Sequence, residues 1–518
     1  MTELGYIALL IGMVIAAYGA AAAVVGARRR ASNFVASARN AVFVVAGLVS
    51  MAGLALLYAL VGHDFGVKYV ASYTSRDLPL FYTAAALWAG QEGSLLLWAW
   101  LLAGIAVAVV VQNRRRNRVL LPYVIAVLLG TETFFLTILV FASNPFARLA
   151  MPLLDGQGLN PLLQNVGMVF HPVATYIGYV GFTVPFAFAV AALITGRLDE
   201  IWIRTTRRWT LLSWLFLSIG NGLGAQWAYV ELGWGGYWAW DPVENSGLMP
   251  WLTATAYLHS VIIQERRGML KVWNLGLIML TFALTLLGTF ITRSGIIESV
   301  HAFGVSTLGP YFLAFLGLTV LGFLALLFER WSELQSENTL EGLVSRESSF
   351  LLNNLLLAGG AFAVLWGTLL PLAAEAVSGQ KIAVSAPYFN QVAGPIFLAV
   401  VLLLGICPLL AWRQTRPDTL VRHLLRPAAA SLVSAVALFA LGIRDLLPLA
   451  ALAVCAFGLG TIGLEFWRAV RARRRMRGER PWVSLEKLFR RQPRRYGGYV
   501  VHLGVLLMVI GIVGSSGL

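Results

Sequence analysis

Apolar stretches of spanning length recur from the beginning of the chain to its end, separated by short polar segments. A bilayer-crossing α-helix needs about 20 predominantly apolar residues, and these stretches approach or reach that length. The pattern therefore predicts an all-α, polytopic helical bundle that forms a single membrane domain over residues 1–518. The fourteen predicted spans are 5–25, 41–61, 94–111, 120–141, 173–195, 210–228, 248–263, 273–291, 310–328, 351–371, 392–410, 428–443, 447–464 and 497–514.

The overall composition agrees with this pattern and excludes other classes of protein. Hydrophobic residues make up 58% of the 518 residues, and charged residues make up 12%. Soluble domains have roughly 45–50% apolar and about 25% charged residues. A water-soluble fold of this size could not bury so much apolar surface, and its exterior would lack charge. Soluble globular, disordered and collagen-like proteins are therefore excluded.

The basic residues predict the orientation of the bundle. If the N-terminus is outside, alternate loops are cytoplasmic, and they contain 33 of the 39 Lys and Arg residues. This asymmetry follows the positive-inside rule. The first span has neither a basic n-region nor a small-residue cleavage site before Arg28, so we expect an uncleaved helix. The sequence predicts a multi-pass protein of the cell (inner, cytoplasmic) membrane with its N-terminus outside.

The net charge of +15 does not indicate a nucleic-acid partner, because of where the charge lies. Twelve basic residues fall in one predicted cytoplasmic segment, 465–496. Basic segments next to spanning helices are attracted to anionic lipid headgroups. We therefore expect this segment to face the lipid bilayer, and we expect no nucleic-acid partner.

Two further features have ordinary interpretations. The segment 78–94 is too polar at its end to span, and it is predicted to lie along the outer interface as an amphipathic helix. The two cysteines, Cys407 and Cys455, lie in apolar runs 48 residues apart. We expect them to be small buried hydrophobes rather than metal ligands or a disulfide.

The most distinctive segment is a tryptophan-rich outer loop predicted over 229–247, within which begins the string WGGYWAWDPVENSGLMPWL (234–252). Indole rings offer flat apolar faces with N–H donors at their edges. Glycines allow backbone to approach a ligand closely, and an Asp-Pro pair favours a turn. These properties suit a planar, mostly apolar ligand with polar edges. The candidate residues are Trp234, Gly235, Gly236, Trp238, Trp240, Asp241, Glu244 and Asn245.

An aromatic belt at the membrane surface is the alternative interpretation of this loop. Such belts are common where spanning helices meet water. A belt needs only one or two tryptophans at each span end, whereas Trp227, Trp234, Trp238, Trp240 and Trp251 all fall within 25 residues. It also needs neither the paired glycines nor the DPVEN string. A ligand site is favoured over a belt alone.

Two histidines are predicted at matching depth inside the membrane. His259 lies seven residues before Arg266, and His502 lies seven residues after Arg495. At 1.5 Å rise per residue, each is about 10 Å from its flanking cytoplasmic charge. Histidine within a span is a functional candidate, and two at one level can ligate a metal or a haem iron from both faces. The alternative is two separately hydrogen-bonded core histidines.

A second pair of histidines is predicted on the outer side. His171 opens a span, and His301 lies in the outer loop 292–304, eight residues after Arg293. With the tryptophan segment beside them, these residues would offer a haem flat apolar contact, axial nitrogen ligands and a guanidinium for a propionate. The remaining histidines, His63 and His423, are expected to be solvated loop residues.

These strings resemble the haem-handling superfamily that carries the tryptophan-rich "WWD" signature. Within it, the sequence is similar to the CcmF family, the large membrane subunits of the system I cytochrome c maturation machinery. The resemblance covers about residues 80–310 and the region of His502. It rests on WGGYWAWDPVEN and on three further strings, QEGSLLLW (91–98), VFHP (169–172) and TRSGIIESVHAFG (292–304).

The resemblance implies a haem lyase that joins haem vinyl groups to the CxxCH thiols of apocytochrome c on the extracytoplasmic face. It implies that His171 and His301 are axial ligands of the incoming haem, which the segment from Trp234 to Asn245 supports. His259 and His502 would ligate a resident b-type haem that keeps the incoming iron reduced, with quinol as a candidate electron donor. The implied partners are apocytochrome c, a haem chaperone and an accessory subunit that reduces thiols or binds apocytochrome.

The sequence departs from the family pattern after His502. Family members continue into an extracytoplasmic domain and a last span, whereas this sequence ends at Leu518. The resemblance thus leaves open how apocytochrome and partner subunits dock.

Three other classes of function compete with a haem lyase. A secondary transporter would be expected to show internal repeats, and we find none; Glu132 is the clearest charge within a span. A haem-binding scaffold without catalysis and a quinol-oxidising electron-transfer subunit are both compatible with the same residues.

Overall fold

The structure, a computed structural model, describes residues 1–233, 236–297, 299, 301, 303, 306–336, 338–380 and 382–516. In this part of the chain the protein is all-α, as predicted, and extended backbone pairs only at one isolated bridge between Val67 and Arg148. The helices are α1 (Thr2–Arg28), α2 (Ser32–Val61), α3 (Lys68–Tyr73), α4 (Leu80–Ala85), α5 (Gln91–Asn113), α6 (Leu121–Phe141), α7 (Val166–Gly181), α8 (Thr183–Thr195), α9 (Glu200–Glu231), α10 (Pro242–Arg267), α11 (Lys271–Ser294), α12 (Gly309–Glu329), α13 (Arg346–Ser378), α14 (Ala386–Ile406), α15 (Pro417–Ala440), α16 (Leu446–Arg477), α17 (Pro481–Arg491) and α18 (Pro493–Ser516).

Each of the fourteen predicted spans overlaps a helix for most of its length. Within the described residues, twelve helical stretches are long and apolar enough to cross a membrane, and α7 with α8 forms one of them, Val166–Thr195. Helices α9 and α10 are not among the twelve, although they are 32 and 26 residues long. Both contain buried polar side chains, such as Thr206 and Gln264, which lower their hydropathy. The helical membrane bundle is confirmed, while the number of crossings and the outer position of the N-terminus stay predictions.

Several helices extend beyond the predicted spans. Helix α2 begins at Ser32 rather than 41, α9 begins at Glu200 rather than 210, and α16 continues to Arg477 rather than 464. Hydropathy detects only the apolar part of a helix, whereas Arg and Lys are good helix formers in water. Helix α16 ends where Gly478 takes a left-handed conformation, with φ of 65°. Glycine adopts this conformation without the steric cost of a Cβ atom.

The chain divides into two compact units. Unit 1 contains Met1–Glu337 and Val364–Ala386, and unit 2 contains Asn338–Ala363 and Pro387–Leu518. The single domain predicted over residues 1–518 is therefore built as two cores, and α13 contributes to each. In unit 1, α1 packs on α2 and α6, and a second group of neighbours is formed by α7 with α9, α9 with α10, and α10 with α11. The candidate site lies on this second group.

The segment 78–94 does not form one amphipathic helix. It forms the short helix α4, a 3-10 turn over Ala86–Trp88 and the beginning of α5. The Tyr69 hydroxyl group holds this turn, because it donates to the Ala86 and Leu87 carbonyl oxygens at 2.9 and 3.2 Å and accepts from the Gly90 N–H at 2.9 Å. Hydrogen bonds from a side chain of α3 therefore determine how residues 86–90 fold. The hydrophobic periodicity of the sequence gives no indication of these bonds.

In unit 2 the basic segment 465–496 is helical and partly neutralised. It comprises the last turns of α16, helix α17 and the beginning of α18. The Glu465 carboxylate accepts from the Arg495 guanidinium at 2.6 Å, and the Glu479 carboxylate pairs with Arg473 at 3.0 Å and with Lys487 at 2.8 Å. Four rings pack between these helices, with centroids 5.4–6.1 Å apart: Phe466, Phe489, Tyr496 and Tyr499. This segment is thus a folded helical hairpin and not an extended tail.

Glu479 connects α16 to α17 through its ion pairs with Arg473 and Lys487, and the pKa of its carboxyl group is strongly lowered. The hydrogen bond from Lys487 lowers its pKa most, burial opposes this, and the bond and charge of Arg473 lower it further, to about 2. The carboxylate side chain is 11% exposed. A carboxyl group whose pKa is depressed in the folded state stabilises that state above its ordinary pKa, and this contribution is lost as the pH falls through the folded value.

We therefore expect the substitution Glu479→Gln to lower the thermal unfolding midpoint of the detergent-solubilised protein near neutral pH. The difference from the parent chain should shrink as the pH falls from about 4.5 towards about 2, because the parent then loses the same charge. Differential scanning measurements across this pH range check it. Glu486→Gln is the control, since its pair with Arg490 joins two exposed side chains and should contribute little. Equal effects of the two variants at every pH would contradict this role of Glu479.

Candidate functional site

The tryptophan segment connects Glu231, where α9 ends, to Pro242, where α10 begins, so it is shorter than the predicted 229–247. Trp234 and Gly235 lie outside the described residues. The rings of Trp238 and Trp240 are perpendicular, with centroids 5.9 Å apart and an interplanar angle of 88°. Trp240 has a φ of 60°, in the left-handed region, which is costly for a bulky residue.

The first turn of α10 holds the Trp240 backbone in this conformation. The Asn245 side chain is fully buried, and its amide donates to the Trp240 carbonyl oxygen at 3.0 Å and to the Thr368 hydroxyl at 3.1 Å. The conformation of the tryptophan loop is therefore coupled to a residue on α13 that belongs to the same unit. Sequence reasoning assigned Asn245 to the ligand, and it missed this structural connection to Thr368.

Asp241 and Glu244 form the N-terminal capping box of α10. The Asp241 carboxylate accepts from the Val243 N–H at 2.9 Å, and the Glu244 carboxylate accepts from the Asp241 N–H at 3.1 Å and the Ala239 N–H at 2.9 Å. A capping box satisfies backbone donors that otherwise have no partner at a helix start. The two carboxylates thus have a local structural task, and their roles towards a ligand stay predictions.

Asp241 also binds His301, which lies 60 positions later in the chain. His301 Nδ1 lies 3.1 Å from Asp241 Oδ1, and the Ser299 hydroxyl donates to the same oxygen at 2.7 Å. Burial alone would raise the pKa of the Asp241 carboxyl, but the hydrogen bond and charge of His301, with the bonds from Ser299 and Val243, hold the pKa below its usual value. An ionised carboxylate favours the imidazole tautomer with hydrogen on Nδ1, so Nε2 carries the lone pair. Metal-ligating histidines are commonly oriented by such a carboxylate.

His171 lies on α7 against the backbone of α9. Its Nδ1 is 2.8 Å from the Gly220 carbonyl oxygen, so donation from Nδ1 again places the lone pair on Nε2. Its ring is tilted by 58° against Trp227, with centroids 5.8 Å apart. His171 and His301 are near enough for the two imidazoles to interact electrostatically. The structure therefore brings this predicted pair of histidines into one region.

Two glycines of α9 leave space for the His171 ring and for the helix that carries it. A Cβ atom added to Gly224 would lie 2.7 Å from His171 Cε1, and one added to Gly220 would lie 2.4 Å from the Thr175 hydroxyl oxygen. These separations are shorter than van der Waals contact. Glycine at these two positions of α9 allows α7 to pack directly on its backbone.

Arg293 is buried at the end of α11, with 2% of its surface exposed. One guanidinium nitrogen, Nη2, donates to the Ser94 hydroxyl at 2.9 Å and to the Tyr176 hydroxyl at 3.0 Å. Its Nε has no hydrogen-bond partner, and no carboxylate among the described residues pairs with the side chain. The centroid of the Phe303 ring lies 5.4 Å from the guanidinium carbon. A buried cation without an anionic partner is unfavourable, so this arrangement suits an anionic ligand group.

Sequence reasoning did not identify Ser94 and Tyr176 as parts of this site. Ser94 belongs to the QEGSLLLW string, and Tyr176 lies on α7 five positions after His171. Arg293 therefore connects the QEGSLLLW string with α7. The spacing of Tyr176 from His171 gave no signal, because five positions separate two side chains by about 140° around a helix. Only the packing of α5, α7 and α11 identifies which polar groups meet.

The second predicted pair of histidines is divided between the two units. His259 lies on α10 in unit 1, where its Nδ1 is 2.8 Å from the Thr255 carbonyl oxygen of the same helix. His502 lies half-buried on α18 in unit 2. Donation from His259 Nδ1 places the lone pair on Nε2, as a metal ligand requires. Ligation of one iron by these two residues stays a prediction.

Not all of the clustered tryptophans contribute to one surface. Trp251 stacks on Trp214 inside the helix group, with centroids 5.7 Å apart, and its indole nitrogen donates to the Ser218 hydroxyl at 2.8 Å. Trp227 donates to the Leu162 carbonyl oxygen at 3.2 Å and contacts His171. The cluster therefore combines helix packing with the loop itself.

Comparison with known proteins connects this chain with cytochrome c biogenesis. Residues 88–297 match the family described as "Cytochrome C assembly protein". The "Cytochrome c-type biogenesis protein CcmF" of Pseudomonas aeruginosa is 41% identical over 518 residues, covering 99% of this chain and 77% of that protein. The protein of the same name in Escherichia coli is 40% identical over 498 residues, covering 95% and 74%. A solved structure named "Cytochrome c Heme Lyase CcmF" superposes with a TM-score of 0.80 at 34% identity, covering 99% of this chain and 76% of that one.

The substitution Gly224→Ala should destabilise the packing of α7 on α9, because the new methyl group meets the His171 ring at 2.7 Å. Overpacking of this kind costs about 1–3 kcal/mol. Gly222→Ala is a matched control on the same helix, since a Cβ atom there meets nothing within 4 Å. Thermal unfolding in detergent should show a lower midpoint for Gly224→Ala only. If both variants behaved alike, the close approach at Gly224 would not matter for stability.

Proposed function

We propose that this chain, which belongs to the CcmF family of cytochrome c-type biogenesis proteins, binds haem at the site around His301, His171 and Arg293 and attaches it to apocytochrome c. The protein is a multi-pass membrane protein with a role in cytochrome c maturation. The single observation that carries the proposal is the orientation of His301 by the ionised Asp241 carboxylate, which leaves Nε2 of the ring available to bind iron.

The residues around the site fit haem as a substrate. The Nε2 atoms of His171 and His301 would offer iron a ligand, since Nδ1 of each is held by an oxygen atom. The Arg293 guanidinium would bind a propionate, which supplies the missing negative charge. The Trp238 and Trp240 rings would provide apolar contact for the porphyrin, together with the Trp234 and Gly235–Gly236 part of the loop.

The reaction proposed is addition of a thiol across a haem vinyl group. The S–H bond and the vinyl π-bond break, a C–S and a C–H bond form, and no electron is gained or lost overall. Both thiols come from the CxxCH motif of apocytochrome c, so the chain needs no nucleophile of its own. Its contribution is to hold the haem in one orientation while the thiols approach, which lowers the entropic part of the barrier. The histidine of the substrate motif would then replace an enzyme histidine on the iron and favour release.

We also propose that the chain holds a second, resident haem of the b type. His259 and His502 would hold it, and the tautomer of His259 set by Thr255 fits that role. When bound, this haem would supply electrons that keep the substrate iron ferrous, with quinol as the proposed donor. We further propose that the membrane is the inner membrane, that attachment occurs on its extracytoplasmic side, and that a haem chaperone and an accessory thiol-handling subunit are partners.

The four histidines should separate into two functional pairs. His171→Ala and His301→Ala should each abolish cytochrome c maturation in cells while the purified protein keeps a reducible b-type spectrum. His259→Ala and His502→Ala should each lose that spectrum. His423→Ala is the control and should change neither readout, because His423 belongs to neither pair; it lies on α15 and not in a loop as expected. Maturation at the normal level in both His171→Ala and His301→Ala would refute the assigned haem site.

Haem with esterified propionates provides a test of Arg293 that does not depend on a variant folding. The parent protein should bind free-acid haem about tenfold or more tightly than haem dimethyl ester, because a hydrogen bond to a charged group contributes about 1.5–3 kcal/mol. In Arg293→Gln this preference should disappear, since the variant has no cation for the propionate. Absorbance titrations of purified protein measure both affinities. A preference that persists in Arg293→Gln would show that another group binds the propionates.

A further inference from the structure

A cavity of about 580 Å³ lies at the end of the bundle opposite to the tryptophan loop, between the last turn of α5 and the first half of α9. This end is predicted to be cytoplasmic. Its lining combines four arginines with a tryptophan and apolar side chains. The lining residues are Val111, Gln112, Arg114, Arg115, Arg116, Arg208, Trp209 and Leu212. The proposed haem lyase reaction uses none of them.

The cavity is strongly cationic because its arginines lack acidic neighbours. No carboxylate lines it, and none of its four guanidinium groups has an ion pair among the described residues. Other arginines at the predicted cytoplasmic end are neutralised, for example Arg207 by Glu265 and Arg330 by Glu333. Four unpaired guanidinium groups around one cavity favour an anionic ligand, and the planar guanidinium matches the oxygen atoms of a phosphate.

Buried side chains fix the segment that carries three of these arginines. Asn113 and Asn117 are 2% and 6% exposed, and the Asn117 amide donates to the Asn113 side-chain oxygen at 2.7 Å and to the Thr205 hydroxyl of α9 at 3.2 Å. The Asn113 amide in turn donates to the Val109 carbonyl oxygen at 2.8 Å. The turn that contains Arg114–Arg116 is thus fastened to α9, which places its arginines beside Arg208. The four arginine side chains are themselves exposed, so the fold fixes the backbone from which they extend.

The other wall of the cavity is apolar and faces outward. Val111 and Leu212 are 49% and 42% exposed, and the neighbouring Leu211 and Leu215 are exposed as well. These residues lie on helices long enough to cross the bilayer, on the membrane side of the arginines. Trp209, which also lines the cavity, lies on α9 between Arg208 and Leu212, and tryptophan is enriched at the level of lipid headgroups. A soluble anion would use only the cationic wall, whereas a phospholipid would use both.

We propose that this cavity binds an anionic phospholipid, with its phosphodiester among Arg114, Arg115, Arg116 and Arg208 and its acyl chains along Val111 and Leu212. Basic pockets between spanning helices are suited to anionic headgroups, and each nearby arginine strengthens the attraction. Trp209 defines the boundary between headgroup and chains. The binding is independent of haem attachment.

Native mass spectrometry of the purified full chain in detergent tests this site. The protein is titrated with dioctanoyl phosphatidylglycerol and, separately, with dioctanoyl phosphatidylcholine. We expect phosphatidylglycerol to bind about tenfold or more tightly, because it has a net negative charge whereas phosphatidylcholine is neutral overall. Arg114→Gln, Arg115→Gln and Arg116→Gln combined should remove the preference. Asn117→Ala should weaken it with every guanidinium retained, since only the position of the turn changes.

Matched controls distinguish a built site from general surface charge. Arg28→Gln, Arg29→Gln and Arg30→Gln combined remove the same charge from three equally exposed arginines at the end of α1, which is also predicted to be cytoplasmic, and they should leave the preference intact. Equal loss in the two triple variants, or equal binding of both lipids by the parent chain, would overturn the proposal. Binding of inorganic phosphate or glycerol phosphate as tight as that of phosphatidylglycerol would also overturn it, in favour of a soluble phosphate ligand.

Discussion

One carboxylate oxygen organises the candidate site. Asp241 Oδ1 accepts from the Val243 N–H, the Ser299 hydroxyl and the His301 ring. The bond from Val243 caps the N-terminus of α10. The other two bonds hold Ser299 and His301, which follow α11, next to this N-terminus. The same carboxyl group therefore fixes where α10 begins, where Ser299 and His301 lie, and which nitrogen of His301 carries the lone pair. Because the side chain is 9% exposed, water competes little for these bonds.

The second constraint is the contact of α7 with the backbone of α9. Gly178 and Gly181 of α7 meet Leu217 and Ser213, while Gly224 of α9 faces His171. Small residues on both helices let the axes approach, as is common between helices in membranes. The approach allows a backbone carbonyl to orient His171, in the way a carboxylate orients His301. Two imidazoles are thus positioned by two unrelated parts of the fold.

The sequence was sufficient to predict the helices, because spanning segments are local patterns, and the tryptophan cluster was enough to draw attention to the segment that contains Asp241. It also held the D-x-x-E signal of a capping box at Asp241 and Glu244, which we interpreted as ligand groups. The pairing of Asp241 with His301, and of Arg293 with Ser94 and Tyr176, could not be predicted. These contacts join positions 60 to 199 residues apart, and no periodicity reports which helices are neighbours.

The polar character of α9 and α10 has a consequence for how the protein enters the membrane. Both helices contain buried hydroxyl and amide groups, among them Thr210, Ser213, Ser260 and Gln264. A segment of this kind partitions poorly into lipid from the translocon when it emerges alone. Since α9 packs on α7 and α10 packs on α11, each has an apolar neighbour that can shield it. Biosynthetic insertion of α9 and α10, which flank the tryptophan loop, therefore depends on α7 and α11. These four helices would then become membrane-embedded together.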